Sequence, residues 1–276
     1  MSQLAKIPPE AEADGYTPQI RVEVRDGIGW MIFANPKRRN AVTFTMWRQI
    51  PAALADLAAD PSVRVVALRG EGESSFISGA DISEFATRRS TPEQVAAYDV
   101  VGTEANTAIV NFSKPTVAVI RTWCVGGGVA TALGCDLRIA AEDTRFAVPA
   151  ARLGLGYRYS GIKALVDVVG PANAREIFFT ARQYTSAEAQ AMGLINRILP
   201  VAGFDAAAEA YLAQIAGNAP LTMHAAKLAI GATGQDAEQR DMATIETAIQ
   251  ACFDSEDYLE GRKAFAKKRP PVFKGR

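Results

Sequence analysis

Apolar and polar positions divide the chain into two unlike parts. Over residues 19–34 short alternation (QIRVEV) breaks at RDG and resumes as IGWMIFA, which predicts a β-hairpin with Asp26-Gly27 at its turn. Phe44, Trp47, Ile50, Leu54 and Leu57 then recur at helical spacing behind Thr43, whose hydroxyl suits an N-cap, so a helix is expected to about Ala59. Residues 63–70 (VRVVALRG) form an apolar run of the kind buried on both faces of a parallel sheet. Thr91-Pro92 opens a helix to about Phe112, PTVAVI is a strand, Gly126-Gly127-Gly128 opens a helix ending near Gly134, and DLRIAA is a strand again. Alternation of strand and helix over roughly the first 145 residues predicts an α/β core with a mainly parallel sheet. Beyond it, residues 159–181, 186–193, 203–217, 220–231, 236–252 and 256–268 read as helices, with INRILP a strand among them. Residues 1–18, with three prolines and few large apolar groups, read as a loose N-terminal extension. The expected organisation is therefore 1–18 extension, 19–200 α/β core and 201–276 helical C-terminal region.

Composition narrows the class. At 276 residues and 49% hydrophobic the chain can bury a large core. Thirty basic residues balance thirty acidic ones, so no global field favours nucleic acid or an anionic membrane, and any anion must be held by a local patch. No apolar run reaches the roughly 20 residues of a membrane span, and the N-terminus lacks a signal-peptide pattern. Cys124, Cys135 and Cys252 lie far apart, which suits neither a disulfide framework nor a metal site and points to a reducing, cytoplasmic compartment.

Two segments are candidates for chemistry. FISGADISEF (76–85) places a Gly-Ala-Asp turn at a strand end, and VGGGVATALG (125–134) leads three glycines into a helix. The first amides of a helix have no internal partner and the helix dipole favours negative charge there, so a glycine run at that point can hold an anion; it can equally serve tight helix–strand packing. The triplet lacks the G-x-G-x-x-G spacing of a dinucleotide fold.

Together with ANPKRRNAV (34–42), CDLRIA, FAVPAARLGLG (146–156), YTSAEAQAMGLINRILP and KAFAKKRPPVF, these segments resemble the enoyl-CoA hydratase/isomerase, or crotonase, superfamily over about residues 19–276. The resemblance implies a spiral of repeated strand–strand–helix (ββα) units with C-terminal helices that trimerise, two trimers commonly forming a hexamer. It implies an acyl-CoA thioester as substrate, with the backbone N–H groups of Ala80 and Gly127 as the oxyanion hole. Two aimed amides would stabilise the enolate left when a proton or carbon dioxide departs beside the thioester carbonyl, and such chemistry needs no metal and no cofactor beyond the coenzyme A of the substrate. Coenzyme A would be held by Lys37, Arg38, Arg39, Ala41, Ser78, Ala80, Asp81 and Ile82, with Phe265 and Lys268 reaching a neighbouring subunit's ligand. Read alone, KRR and KAFAKKR are solvated surface charge.

The chain departs from the hydratases at both of their glutamates, which are replaced here by Ala130 and Ala150. Alanine moves no proton, so two-glutamate hydration is not expected. LGLGYRYSGI (153–162) is similar instead to the LGxxYxxxGI stretch of methylmalonyl-CoA decarboxylase-like members, with Tyr157 at the position of their active-site tyrosine, although those enzymes carry histidine where this chain has Ala80. The favoured expectation is a lyase decarboxylating a malonyl-type thioester, with Tyr157 orienting the departing carboxylate and Arg158 and Tyr159 close enough to share its task. Alternatives are a hydratase or isomerase with relocated acid–base groups, Glu84 being one surrogate, and a non-catalytic acyl-CoA-binding paralogue. Thr122 and Trp123 are expected either to narrow the acyl pocket or to serve as core, Asp136 to brace structure, and His224 to be a satisfied non-catalytic residue.

Overall fold

In the computed structural model, which describes residues 2–10 and 15–276, the hairpin forms from β1 (Gln19–Arg25) and β2 (Ile28–Ala34). Asp26 and Gly27 take φ of 52° and 77°, the two positive values that let a two-residue turn follow the strand twist. Thr43 accepts from the Met46 amide at 3.2 Å and starts α1 (Phe44–Ala59). There follow β3 (Val65–Gly70), the single turn α2 (Phe85–Arg88), α3 (Pro92–Val110), β4 (Thr116–Ile120), β5 (Trp123–Val125), α4 (Gly127–Gly134), β6 (Leu137–Ala141) and β7 (Arg145–Ala147). The chain continues through α5 (Ala150–Leu153), α6 (Tyr159–Thr180), β8 (Tyr184–Thr185), α7 (Ser186–Ala191) and β9 (Arg197–Leu199). It ends with α8 (Phe204–Ala216), α9 (Pro220–Thr233), α10 (Met242–Phe253) and α11 (Glu256–Ala266).

The main sheet has the order β1-β2-β3-β4-β6-β9, parallel throughout except for the β1–β2 hairpin. β2 and β4 are buried along their whole length because both faces of the sheet are covered there. Met31 and Phe33 of β2 join Met46, Ile50, Ala105 and Ile109 of α1 and α3 in one core. Trp30 and Ile32, pointing the other way, pack with Phe204, Ala208 and Leu212 of α8.

Several expectations change. A second sheet, β5-β7-β8, is built from strands of two or three residues, too short to give a period. The helix expected over 236–252 is broken: a 3-10 turn at Ala237–Gln239 precedes Asp241, which caps α10 by accepting from the Thr244 amide at 3.0 Å. α6 is kinked at Gly170, whose φ of 75° interrupts the helix just before Pro171. The N-terminal segment, expected to be loose, is held against α1. Asp56 accepts from the Gln3 and Leu4 amides at 2.6 and 2.9 Å, and Gln49 donates to the Ile7 carbonyl at 2.9 Å. Residues 1 and 11–14 of that extension lie outside the described residues. Among the described residues no helix is long and apolar enough to cross a membrane.

Candidate active site

Segment 76–82 is clamped from two sides. On one, Val42 donates to the Gly79 carbonyl and accepts from the Asp81 amide, both at 2.9 Å; on the other, Val125 donates to the Ile77 carbonyl at 2.9 Å. The first pair skips the amide of Ala80, which is left facing outward from the bridge.

The glycine triplet divides its work. Gly126 adopts φ 53°, ψ −109°, turning the chain from β5 into α4. Gly128 lies against strand backbone, for a β-carbon there would stand 2.3 Å from the Ile77 carbonyl oxygen. Gly127 is the first residue of α4, so its N–H has no partner within the helix. A β-carbon on Gly127 would stand 3.5 Å from the Ala80 nitrogen and 3.3 Å from the Trp47 ring. Among the described residues neither the Ala80 N–H nor the Gly127 N–H has an acceptor, while the adjoining Asp81 and Gly126 amides are bonded. The packing and anion-site readings of the triplet are therefore compatible, each resting on a different glycine.

Both amides open on a cavity of about 450 Å³ walled by α3, α4, the 78–82 turn and the 149–164 segment. Ala130 and Ala150, expected from the resemblance to stand where hydratases carry glutamate, both line it and offer only methyl groups. Among the described residues Asp99 is the one lining carboxylate, and Arg158 occupies it, donating to Oδ2 from Nε at 2.7 Å and from Nη2 at 2.5 Å. Tyr157 also lines the cavity, its hydroxyl 3.8 Å from where a β-carbon on Gly126 would lie. That hydroxyl has no hydrogen-bond partner among the described residues. Burial pushes its pKa upward, against the nearby charge of Arg89, so the phenol keeps its proton and can donate it in a hydrogen bond.

Ser78 and Ile82 share this cavity. Ser78 donates from Oγ to the Arg38 carbonyl at 3.1 Å and from N to the Arg39 carbonyl at 3.2 Å, which joins the 36–42 loop to the rim. Ala41 and Asp81 are buried beneath. Asp81 accepts from the Ser83 amide at 3.0 Å and from Arg38 at 3.3 Å. Lys37 lies 4.7 Å over the Tyr16 ring, and Arg39 has φ 51°. Lys37, Arg38 and Arg39 thus sit beside the rim rather than in the cavity wall. Phe265, on α11 and 87% exposed, and Lys268 just beyond it are not brought to the cavity of their own chain.

Other candidates are placed elsewhere. Glu84 caps α1, accepting from the Phe44 amide at 2.7 Å; burial raises its pKa, and it does not line the cavity. Asp136 accepts from Thr116 N, Thr116 Oγ1 and Lys227 Nζ at 2.8, 2.9 and 2.8 Å, a brace between β4 and α9. His224 meets the Ser113 carbonyl at 3.0 Å. Thr122, Trp123 and the 79%-exposed Tyr159 do not line the cavity. The tryptophan in the wall is Trp47, read from sequence as core alone; its indole donates at 3.1 Å to Tyr98, whose own pKa burial pushes up to about 12. Tyr98 and Arg89, also in the wall, belong to no motif that could have flagged them. Among the described residues no cluster of three or more His, Cys, Asp or Glu side chains could hold a metal.

A family model described as enoyl-CoA hydratase/isomerase matches residues 23–276. The chain is 30% identical over 234 residues to short-chain-enoyl-CoA hydratase of Clostridium acetobutylicum, spanning 85% of this chain and 89% of that protein. It is 32% identical over 256 residues to carnitinyl-CoA dehydratase of Salmonella typhi, spanning 91% and 97%. It superposes with a TM-score of 0.87 and 34% identity on an enoyl-CoA hydratase/carnitine racemase from Magnetospirillum magneticum, covering 93% of this chain and 96% of that one. An enoyl-CoA hydratase from Bacillus anthracis superposes with a TM-score of 0.86 at 27% identity. Motif order, fold and the match along nearly the whole sequence agree: this chain belongs to the enoyl-CoA hydratase/isomerase family of acyl-CoA enzymes.

Proposed function

We propose that this enzyme decarboxylates a malonyl-type thioester of coenzyme A, holding the thioester oxygen between the amides of Ala80 and Gly127. The observation that carries the reading is a cavity with two converging amides that, among the described residues, have no acceptor, and with no free carboxylate from those residues in its wall. When carbon dioxide leaves, the electrons of the breaking carbon–carbon bond pass to the carbonyl oxygen as an enolate. The two N–H groups at the mouth of α4 stabilise that charge more than the neutral ground state. A proton from water then completes the α-carbon. No base is required, which suits Ala130 and Ala150. The Tyr157 phenol, protonated and otherwise unpartnered, is placed to hold the leaving carboxylate out of the thioester plane. The coenzyme lies along the rim, its backbone contacts on Ser78, Asp81, Ile82 and Ala41 and its phosphates near Lys37, Arg38 and Arg39. No metal or organic cofactor takes part. The exposed apolar residues of the C-terminal helices, Phe253, Leu259 and Phe265 among them, support a homotrimer or a dimer of trimers, with Phe265 and Lys268 serving a neighbour's ligand.

The test is incubation with malonyl-, methylmalonyl- and ethylmalonyl-CoA, following carbon dioxide and the shortened acyl-CoA. Release from at least one is expected, and silence with all three rejects the reaction. A second reading, hydration or dehydration with relocated acid–base groups, is favoured by the names of the hydratase and dehydratase relatives. Loss of crotonyl-CoA absorbance would establish it. Coenzyme A binding without turnover on any thioester would instead mark a non-catalytic paralogue.

A further inference from the structure

Among the described residues three charged side chains line the cavity: Arg89, Asp99 and Arg158. They do not cancel. Arg158, 69% exposed, spends two donors on Oδ2 of Asp99 and so neutralises it. Arg89 is only 15% exposed, and its nearest carboxylate oxygen is Asp99 Oδ1 at 3.8 Å, beyond hydrogen-bond reach. Among the described residues its guanidinium has no hydrogen-bond acceptor. It is held in place by aromatic rings, with Cζ 4.8 Å from the Phe85 centroid and 4.9 Å from that of Tyr98. Ring faces position a guanidinium without using its in-plane donors. A largely buried cation with unmet donors is costly to maintain, and apart from Asp99 and Arg158 the wall around it offers neutral groups only, the polar ones being side chains such as Thr103, Asn106 and Tyr157.

We propose that Arg89 reads a carboxylate carried by the acyl group, so that the cavity selects carboxyacyl thioesters of coenzyme A over neutral ones. The inference rests on the acyl-CoA reading of this cavity and deepens it by naming the substrate class. A carboxylate matches the planar fork of a guanidinium, forming charge-assisted bonds that a methyl group cannot. Arg158 stays on Asp99 and keeps that carboxylate from claiming Arg89.

The test measures Kd by calorimetry for succinyl-, methylmalonyl- and butyryl-CoA and for free coenzyme A, with KM replacing Kd where methylmalonyl-CoA turns over. At least one carboxyacyl thioester is expected to bind about tenfold or more tightly than butyryl-CoA, given the usual worth of a charge-assisted bond. In Arg89→Met that preference should fall to parity, with butyryl-CoA and free coenzyme A unchanged. Arg89→Lys, which keeps the charge and loses the fork, should retain part of the preference and stands in if the methionine variant fails to fold. No preference in the wild type, or an equal loss for free coenzyme A in Arg89→Met (the mark of a phosphate contact), overturns the proposal. If no ligand binds, free coenzyme A included, the acyl-CoA reading fails and this inference with it. A preference that persists without decarboxylation upholds Arg89 and rejects only the reaction.

Discussion

Tyr157 and Phe178 meet edge-on, ring centroids 5.1 Å apart and planes at 81°, so the phenol beside the glycine turn is fixed by packing while its hydroxyl has no hydrogen-bond partner among the described residues. Tyr157→Phe keeps that contact and deletes only the hydroxyl. Turnover of the malonyl-type substrate is expected to fall by about 10²-fold, with melting temperature and coenzyme A affinity unchanged. Steady-state kinetics beside a thermal melt checks this, and unaltered kcat would remove the tyrosine from the mechanism.

Gly127 is the first residue of α4, where proline costs the helix little yet carries no N–H. Gly127→Pro is therefore expected to lower kcat by about 10²–10³-fold while the helix content seen by circular dichroism is retained. The proline ring also occupies the gap beside Ala80 N and Trp47, so KM should rise as well.

Glu84 caps α1 and does not face the cavity, so Glu84→Gln should leave kcat within about twofold of wild type. Burial raises its pKa in the folded state. The folded protein then binds this proton more tightly than the unfolded chain, so this group's contribution to stability is present below its unfolded pKa and declines as pH rises through the folded value. Thermal melts of Glu84→Gln should show a smaller loss from acidic to neutral pH than the wild type. A tenfold fall in kcat would instead make Glu84 the relocated base.

Ala130 and Ala150 line the cavity with methyl groups that move no proton, and under the decarboxylase reading wild-type hydration of crotonyl-CoA is expected at background. Ala130→Glu combined with Ala150→Glu should raise it by at least about tenfold, since general acid–base groups contribute on that scale or more. The loss of enoyl absorbance reads it directly.

Phe265 and Leu259 are 87% and 64% exposed on α11. Light scattering should give a trimer or hexamer for the wild type, and Leu259→Asp with Phe265→Asp should release monomers. A wild-type monomer would leave those apolar side chains without a partner subunit.

Local pattern determined a good part of this molecule. The apolar run at 63–70 required cover on both faces, which β3 has, and Thr43 before a helical stripe set the start of α1. The order of glycine-rich and Gly-Ala-Asp segments was enough to suggest the family, which the match over residues 23–276 shows. Periodicity reports which face of an element is dry. It does not report which other element covers that face, or whether the cover leaves a gap. Trp47 and Trp123 show the difference: both are tryptophans in apolar surroundings, yet the fold puts the first in the cavity wall and leaves the second out of it. The three-residue strands of the second sheet carry too few positions for any period to form.

Charge is decided the same way. Nothing in a run of letters distinguishes Arg89 from Arg158. Only when α3 carries Asp99 to Arg158, 59 residues away in the chain, does one arginine become a neutralised partner and the other a cation left over inside a cavity. The identity of each group is local. Whether its charge is met depends on long-range packing, because solvation and ion pairing are properties of the surroundings that the tertiary fold assembles.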